Sequence, residues 1–454
     1  MMNIDNIENS LANILDKNDI KLDKDSKEKY SQDWSSVIPD DPLAITFPKS
    51  TSQVKEIVKF CNINNISFIP SGGRTGLSGG ATAIKNELII SFEKMDKITN
   101  FDESSRIVTC QPGLITKKLQ DFADQNNLFY PIEFSSTGSS QIGGNIATNA
   151  GGIRVIKYGL TGKYVKGIKM ISGNGDFFNF DSGLIKNATG PDLKNLLIGS
   201  EGIFGLTTSC SMQLIEKQKE TKVAMIGLND INKLDFIRMI LCKNNDIEAI
   251  EFFTDAALSK VIESFNFDNL LGKKYNFYLI VEYSETRTEK TFESLIKDSY
   301  IDDVIISQNL KQKNEIWKSR LLISESIVNH NPYKYDIAVP ISKFNCLVKK
   351  IESYSKDIAN IEPILFGHIG DGNLHANFIG TSNQFSDKTV NALDSLILNI
   401  IIDLKGTISA EHGIGVLKKS IFSKVASKNK IDILKSVKSS YDHKNLLNPG
   451  KLIF

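Results

Sequence analysis

The chain has 454 residues, 41% hydrophobic and 24% charged, a balance typical of a soluble globular protein and a length that calls for two or more domains. Lys and Arg total 54 against 53 Asp and Glu, so no charge excess points to nucleic acid or an acidic membrane surface. The five cysteines (Cys61, Cys110, Cys210, Cys242 and Cys346) are scattered and odd in number, with no CxxC pair. That argues against a disulfide framework or a cysteine zinc site, and for a reducing compartment such as the cytoplasm or an equivalent matrix.

Residues 1–35 read as a polar helical segment. Their start is acidic and amphipathic, without the basic stretch and apolar core of a secretory signal. Alternating helices and strands follow. Thr51 to Asn64 carries Val54, Ile57, Val58 and Cys61 at helical spacing behind a Ser or Thr cap. Ile66 to Ile69 reads as a short strand that stops at Pro70. Leu88 to Phe92 and Arg106 to Cys110 read as further strands, and Thr116 to Gln125 as a helix. Glycine is concentrated at 72–80, 138–152 and 199–205 and thins out after Glu216, so a domain boundary is expected at 216–222. Asn276 to Tyr283 reads as a strand. Leu393 to Leu404 is the longest apolar-rich stretch, too short and too often interrupted to span a bilayer.

The segment from Pro70 to Gly80 (PSGGRTGLSGG) can turn sharply and bring backbone N–H groups close to a pyrophosphate. It matches neither GxxxxGK[ST] nor GxGxxG, and the usual NAD fingerprint is missing from the whole chain. A flexible loop is the plain alternative. Ile142 to Gly152 (IGGNIATNAGG) supplies amides and hydroxyls for a flat polar ring system. Gly199 to Gly205 (GSEGIFG) is the third such segment. Three of them within about 135 residues suggest one long ligand of dinucleotide size lying across one domain.

The histidines carry a sharper signal. Three of the five lie in two motifs, Phe366 to Phe378 (FGHIGDGNLHANF) and Ala410 to Gly415 (AEHGIG). The Gly370-Asp-Gly-Asn373 turn should fold the chain back so that His368 and His375 meet, with His375 and Asn377 on one face of the following strand. Two imidazoles and a carboxylate make a common divalent-metal site, and His368, His375 and Glu411 can supply it. His412 is then left as a proton acceptor. Hydrogen-bonded core histidines are the structural alternative. Arg320 and Lys334 are candidate carboxylate binders, although either could be a solvated charge. His330 and His443 read as surface or loop residues.

Taken in order, PSGGRTGLSGG, GGNIATNAGG, GSEGIFG, GHIGDGNLHANF, AEHGIG and the closing Asn448-Pro-Gly-Lys451 resemble the FAD-linked 2-hydroxy-acid dehydrogenases, over residues 35–454. The resemblance implies an α+β chain of the vanillyl-alcohol-oxidase type. Its parts would be an N-terminal helical segment (1–35), a two-lobed FAD-binding domain (36–217), an α+β cap domain with the metal site (218–419) and a tail (420–454) that returns to the FAD domain. It implies that Pro70, Gly72, Gly73, Arg74, Thr75 and Gly76 meet the pyrophosphate. Ser136, Thr137, Gly143, Gly144, Asn145, Thr148 and Ala150 would line the flavin and ribityl chain, Glu201, Gly202 and Ile203 the adenine and ribose end, and Asn448 the isoalloxazine. His368, His375 and Glu411 match the family's metal ligands, zinc being the leading ion, and His412 its base. Arg320, Ser324 and Asn377 fall at substrate positions. Ser324 stands where the family often has Thr, and Leu321 replaces the usual acidic residue after the arginine.

Lys334, in Tyr-Lys-Tyr-Asp336, resembles the D-2-hydroxyglutarate branch, where a lysine here binds the distal carboxylate. The expected activity is FAD-dependent oxidation of a D-2-hydroxy acid to the 2-oxo acid, with a D-lactate or glycolate dehydrogenase as the runner-up. A non-catalytic flavin-binding subunit and a metal-dependent hydrolase are the readings from other classes. Electron-transfer flavoprotein or a quinone would accept the electrons, and a homodimer is the implied oligomer. No histidine occurs before His330, so a histidyl link from a 36–217 FAD domain is excluded. A cysteinyl link through Cys61, Cys110 or Cys210 stays formally open, and non-covalent FAD is expected.

Overall fold

The computed structural model describes residues 4–181, 183–184, 186–243, 246–380 and 385–453, so the first three residues of the expected N-terminal segment lie outside it. The chain forms two compact units. The first unit combines Met1–Gly151, Leu160–Lys217 and Glu411–Phe454. The second holds Gln218–Ala410 together with an early excursion, Gly152–Gly159. The return to the first unit thus comes at Glu411 rather than at 420. Of the expected N-terminal segment, residues 4–35 belong to the first unit rather than standing apart.

The first unit carries two main sheets. In one, Ile20–Lys21, Ala44–Thr46, Leu88–Ser91 and Phe68–Ser71 lie side by side, parallel except at the first pair. Thr51–Asn64 is helical as its spacing predicts. The Ser50 side chain caps its start, and Asn65 ends it in the left-handed region at φ 54°. Its buried face (Val54, Ile57, Val58 and Cys61) joins Leu88, Ile90 and Phe68 in one core. The second sheet is antiparallel, in the order Ile98–Asp102, Ile107–Cys110, Gly205–Gln213, Val165–Ser172 and Phe177–Asn179.

The strand expected to stop at Pro70 runs through it to Ser71. The N–H and C=O of Phe68 both face the C-terminal tail, at 2.8 Å from Leu446 O and 2.7 Å from Asn448 N. Pro70, two residues on, turns its missing N–H to that same side and away from the Leu88–Ser91 strand. A proline is tolerated at such an edge.

The tail is held from below by buried lysines. Lys438 donates to the carbonyls of Ile203 (2.8 Å) and Leu447 (2.6 Å) and pairs with Asp442. Lys451 is fully buried and donates to Thr82 O at 2.7 Å. Desolvation pulls its pKa down to about 8.

The second unit is built on a seven-stranded antiparallel sheet. Its order is Asp303–Ile306, Lys222–Leu228, Phe277–Tyr283, Ile247–Thr254, Ile361–His368, Asn373–Gly380 and Tyr333–Ala338. One face buries Val223, Met225, Phe253, Tyr278, Ile280 and Ile364 against the helices Asp255–Phe265, Leu310–Leu321 and Ile323–Ser326. The 152–159 excursion is fixed to this sheet by charge. Arg154 meets the buried Glu282 at 2.9 Å, and Tyr158 donates to the buried Glu248. The Ile156 side chain fills the space beside Gly370, where an added Cβ would lie 2.6 Å away. Leu393 to Leu404 forms the end of one helix, Asp387–Leu404. No described helix is long and apolar enough to cross a membrane.

Candidate active site

In the first unit the glycine segments converge on one cavity of about 310 Å³, a size suited to a small-molecule ligand. Its wall includes Pro70, Gly72, Gly73, Arg74, Thr75, Gly76, Ser136, Gly143, Gly144, Asn145, Thr148, Ala150, Glu201 and Gly202. Glu411 and His412 line it as well. The wall also takes in Asp33, Trp34 and Gln141, which the sequence did not single out. Trp34 had one signal, as one of only two tryptophans in the chain.

Three expected cofactor residues do not line the cavity. Thr137 exchanges bonds with the Phe134 backbone and closes a turn. Ile203 is a fully buried core residue. Asn448 spends its Nδ2 on Glu201 O (2.9 Å) and Gly80 O (3.3 Å). Arg74 does line the wall, but its guanidinium also stacks 4.2 Å from the centroid of the Tyr30 ring.

The Ile142 segment is helical (Ile142–Thr148) and ends in the left-handed region at Asn149. Its two glycines differ in kind. A Cβ on Gly143 would sit 2.6 Å from Pro112 Cβ, whereas one on Gly144 would meet nothing within 4 Å. Gly143 therefore allows close packing, and Gly144 keeps the cavity open. Gly143→Ala is expected to cost about 1–3 kcal/mol of stability through overpacking, read as a lowered thermal midpoint. Gly144→Ala should leave the apoprotein midpoint unchanged and weaken FAD retention.

Two features of the cavity fit a polar, flat ligand. Gln141 Oε1, in the cavity wall, is buried with no hydrogen-bond partner among the described residues, and buried polar atoms are normally paired. The segments turn sharply enough to present backbone, with φ 57° at Arg74 and 72° at Gly202. No cysteine of the unit lines the cavity. Cys61, Cys110 and Cys210 lie in the core; burial pushes the Cys61 thiol well up, and the hydrogen bond with Cys110, together with burial, does the same for Cys210, away from the reactive thiolate. The histidyl exclusion is narrower than the sequence suggested, because the first unit also contains His412 and His443. His443 is exposed and bonded to Asn174.

The loop bearing Glu411 and His412 is clamped inside this unit. The Glu201 carboxylate accepts from the N–H groups of Ile414 (2.7 Å) and Gly415 (2.6 Å). Burial pushes its pKa up while those two donors pull it down, and the net shift is upward. Gly413 (φ 76°) and Gly415 (φ 51°) supply the backbone this needs. The Glu201 side chain, expected at the adenine end of the cofactor, thus also fixes the His412 loop.

The second unit places the histidine pair on its sheet. The strands Ile361–His368 and Asn373–Gly380 pair in antiparallel register across the Gly370 turn, with Phe366 opposite His375 and His368 opposite Asn373. The two Nε2 atoms are 3.4 Å apart. That is long for a hydrogen bond between nitrogens. It matches two imidazoles on one tetrahedral zinc, whose nitrogens at about 2.0–2.1 Å from the ion lie roughly 3.3 Å from each other. Each Nδ1 has a carboxylate behind it: Glu251 Oε1 lies 2.6 Å from that of His368, and Asp336 Oδ1 lies 3.6 Å from that of His375. The donor set fits a divalent metal.

The expected substrate residues gather around the same sheet face. Arg320 is buried, stacks 4.7 Å from the centroid of Phe366 and pairs with Glu251 Oε2 at 2.8 Å. Its Nε, and the Nδ2 of the buried Asn377, have no hydrogen-bond partner among the described residues. Lys334 stands opposite Asn377 in the neighbouring strand. The residue as a whole is exposed, yet desolvation by the chain around it lowers its ammonium pKa. Ser324 is exposed on the short helix that follows Arg320. Cationic groups and orphaned N–H donors on one sheet face suit an anionic oxygen ligand.

The comparisons with known proteins agree with this architecture. Residues 217–452 match the family of FAD linked oxidases, C-terminal domain, and residues 42–181 match the FAD binding domain family. The chain is 37% identical to D-2-hydroxyglutarate dehydrogenase of Stutzerimonas stutzeri (strain A1501), over 97% of both chains. It is 30% identical to the mitochondrial D-2-hydroxyglutarate dehydrogenase of Arabidopsis thaliana, over 97% of this chain and 80% of that one. The structure of p-cresol methylhydroxylase with substrate bound superposes with a TM-score of 0.76 at 14% identity, covering 99% of this chain and 96% of that one, which is a likeness of fold. With both halves matched and a full-length relative at 37% identity, the chain belongs to the FAD-linked oxidases and is an FAD-dependent oxidoreductase.

Proposed function

We propose that this enzyme oxidises a D-2-hydroxy acid, D-2-hydroxyglutarate foremost, to the 2-oxo acid. The observation that carries the proposal is His412 in the wall of the cavity formed by the glycine segments. A base there can take the hydroxyl proton as the C2 hydride leaves. The non-covalent FAD supplies the hydride acceptor. A divalent metal, zinc foremost, supplies a Lewis acid that lowers the pKa of the substrate hydroxyl. His368 and His375 hold it, with Glu411 as the third donor that the sequence assigns.

The remaining steps belong to the side chains. Arg320 and Asn377 orient the carboxylate next to the reacting carbon, and Lys334 pairs with the distal carboxylate of a diacid. Positioning of this kind supplies much of an enzyme's advantage over solution. Pro70, Gly72, Gly73, Arg74, Thr75 and Gly76 approach the pyrophosphate. Thr137, Ile203 and Asn448 act behind the cavity wall, supporting the residues that touch the cofactor. Electrons pass on to electron-transfer flavoprotein or a quinone. The enzyme works as a homodimer in the cytoplasm or an equivalent reducing matrix.

Anaerobic bleaching of the flavin tests the reading. D-2-Hydroxyglutarate should bleach it faster than D-lactate or glycolate, the L forms should not bleach it, and prior chelation should abolish the reaction. Fastest bleaching by D-lactate would move the assignment to a monoacid dehydrogenase. A yellow protein that no 2-hydroxy acid bleaches would move the reading to another substrate class or a non-catalytic flavin subunit.

A further inference from the structure

Glu251 lies in the strand Ile247–Thr254, every residue of which is buried. Its own exposure is 0%. A carboxylate in such a place is unfavourable unless it is fully engaged. Both of its oxygens have cationic or N–H partners, and both partners belong to the reacting site. Oε1 is 2.6 Å from His368 Nδ1, and Oε2 forms an ion pair with Arg320 Nη2 at 2.8 Å, without the alignment of a hydrogen bond. Strand register fixes the first contact, because Glu251 stands directly opposite His368. The stacking of Arg320 on Phe366 fixes the second.

We infer that Glu251 is a positioning residue that joins the metal-binding edge of His368 to the carboxylate-binding guanidinium of Arg320. The inference rests on the metal reading given above and extends it to a residue outside the ligand set. An ionised carboxylate only accepts hydrogen bonds, so it holds the His368 proton on Nδ1 and leaves the Nε2 lone pair for the metal. The same carboxylate fixes the guanidinium by one nitrogen and leaves the unpartnered Nε for the substrate. One side chain thereby sets the tautomer of a ligand and the aim of an anion binder.

Glutamine separates the two tasks. A carboxamide has one acceptor oxygen and one donor nitrogen. Beside Arg320 the oxygen must face the guanidinium, so the NH2 group faces His368 Nδ1. That moves the imidazole proton to Nε2 and removes the lone pair. In the double variant E251Q/R320M the amide oxygen is released to accept from Nδ1–H, and the lone pair returns.

The experiment is zinc affinity by chelator competition on the purified FAD-loaded protein, with bound flavin absorbance as the check on folding. E251Q should bind zinc about 10–100-fold more weakly than wild type. E251Q/R320M should recover most of that loss while remaining slow with substrate. Wild-type zinc affinity in a folded E251Q protein would overturn the inference. So would equal loss in the single and double variants, because that would mean general damage rather than a misplaced proton. A wild-type protein that binds no zinc would overturn the metal reading itself. If E251Q fails to retain FAD, the double variant is compared with E251L/R320M, which has no acceptor for the His368 Nδ1 proton: weaker zinc binding by E251L/R320M supports the inference and equal affinity overturns it.

Discussion

Replacing His412 by alanine is expected to leave FAD bound and to slow flavin reduction by about 10²–10⁴-fold, the usual contribution of a positioned general base. The substitution deletes an imidazole from the cavity wall and keeps the backbone anchors of the loop. That loop is held by the Glu201 carboxylate on the N–H groups of Ile414 and Gly415 and by the Leu452 N–H on Gly415 O. None of these bonds uses the His412 side chain. Flavin should stay bound, because the backbone anchors of the loop remain, while the rate of anaerobic bleaching falls. Bleaching at the wild-type rate would remove the base assignment and point to another proton acceptor in the cavity.

The second large effect is on substrate choice. Lys334→Met should weaken kcat/KM for D-2-hydroxyglutarate by about 10²-fold, in line with losing one desolvated charge-assisted pair. The same change should alter D-lactate turnover by less than about 3-fold, because a monoacid has no distal carboxylate to lose. Lys334 is suited to such a role by its position opposite Asn377 and by the desolvation that already lowers its ammonium pKa. An anionic ligand favours the charged form of such a lysine. Equal losses on both acids would mean that Lys334 supports the strand instead of reading the substrate.

Much of this was legible from local pattern. The Thr51–Asn64 helix was legible because its buried stripe and both caps are written in adjacent residues. The histidine hairpin was legible because Gly370-Asp-Gly-Asn373 is strong turn chemistry and strand alternation then places His375 and Asn377 on one face. The glycine segments converge on one cavity for a similar reason, since glycines clustered beside a strand leave backbone exposed to a ligand.

What stayed hidden depends on partners distant in sequence. Glu248 and Glu251, three residues apart, carry no local signal of burial. Both are in fact buried in a central strand, engaged with Tyr158 and with His368 and Arg320. Pro70 read as a stop because its tolerance depends on a tail almost 380 residues later, where Leu447 bridges Phe68. The excursion at 152–159 was invisible because its anchors, Glu248 and Glu282, lie beyond the domain boundary. The family resemblance placed the cofactor residues by motif, and motif alone does not separate wall residues such as Gly144 from the supporting Ile203 and Thr137.

The path of the chain has a consequence for biosynthesis. The first unit is assembled from three stretches, and the last of them begins only at Glu411. His412 in the cavity wall, Asn448 behind Glu201 and the Lys438 ammonium under Ile203 all arrive with that stretch. On the ribosome, where the chain emerges at roughly 5–20 residues per second, the first unit must wait for the whole of the second to be made. Its glycine segments meanwhile stand without their closing wall. FAD is therefore expected to be captured only after the Glu411–Phe454 stretch has been made, and the pace of cofactor uptake to follow the docking of that stretch.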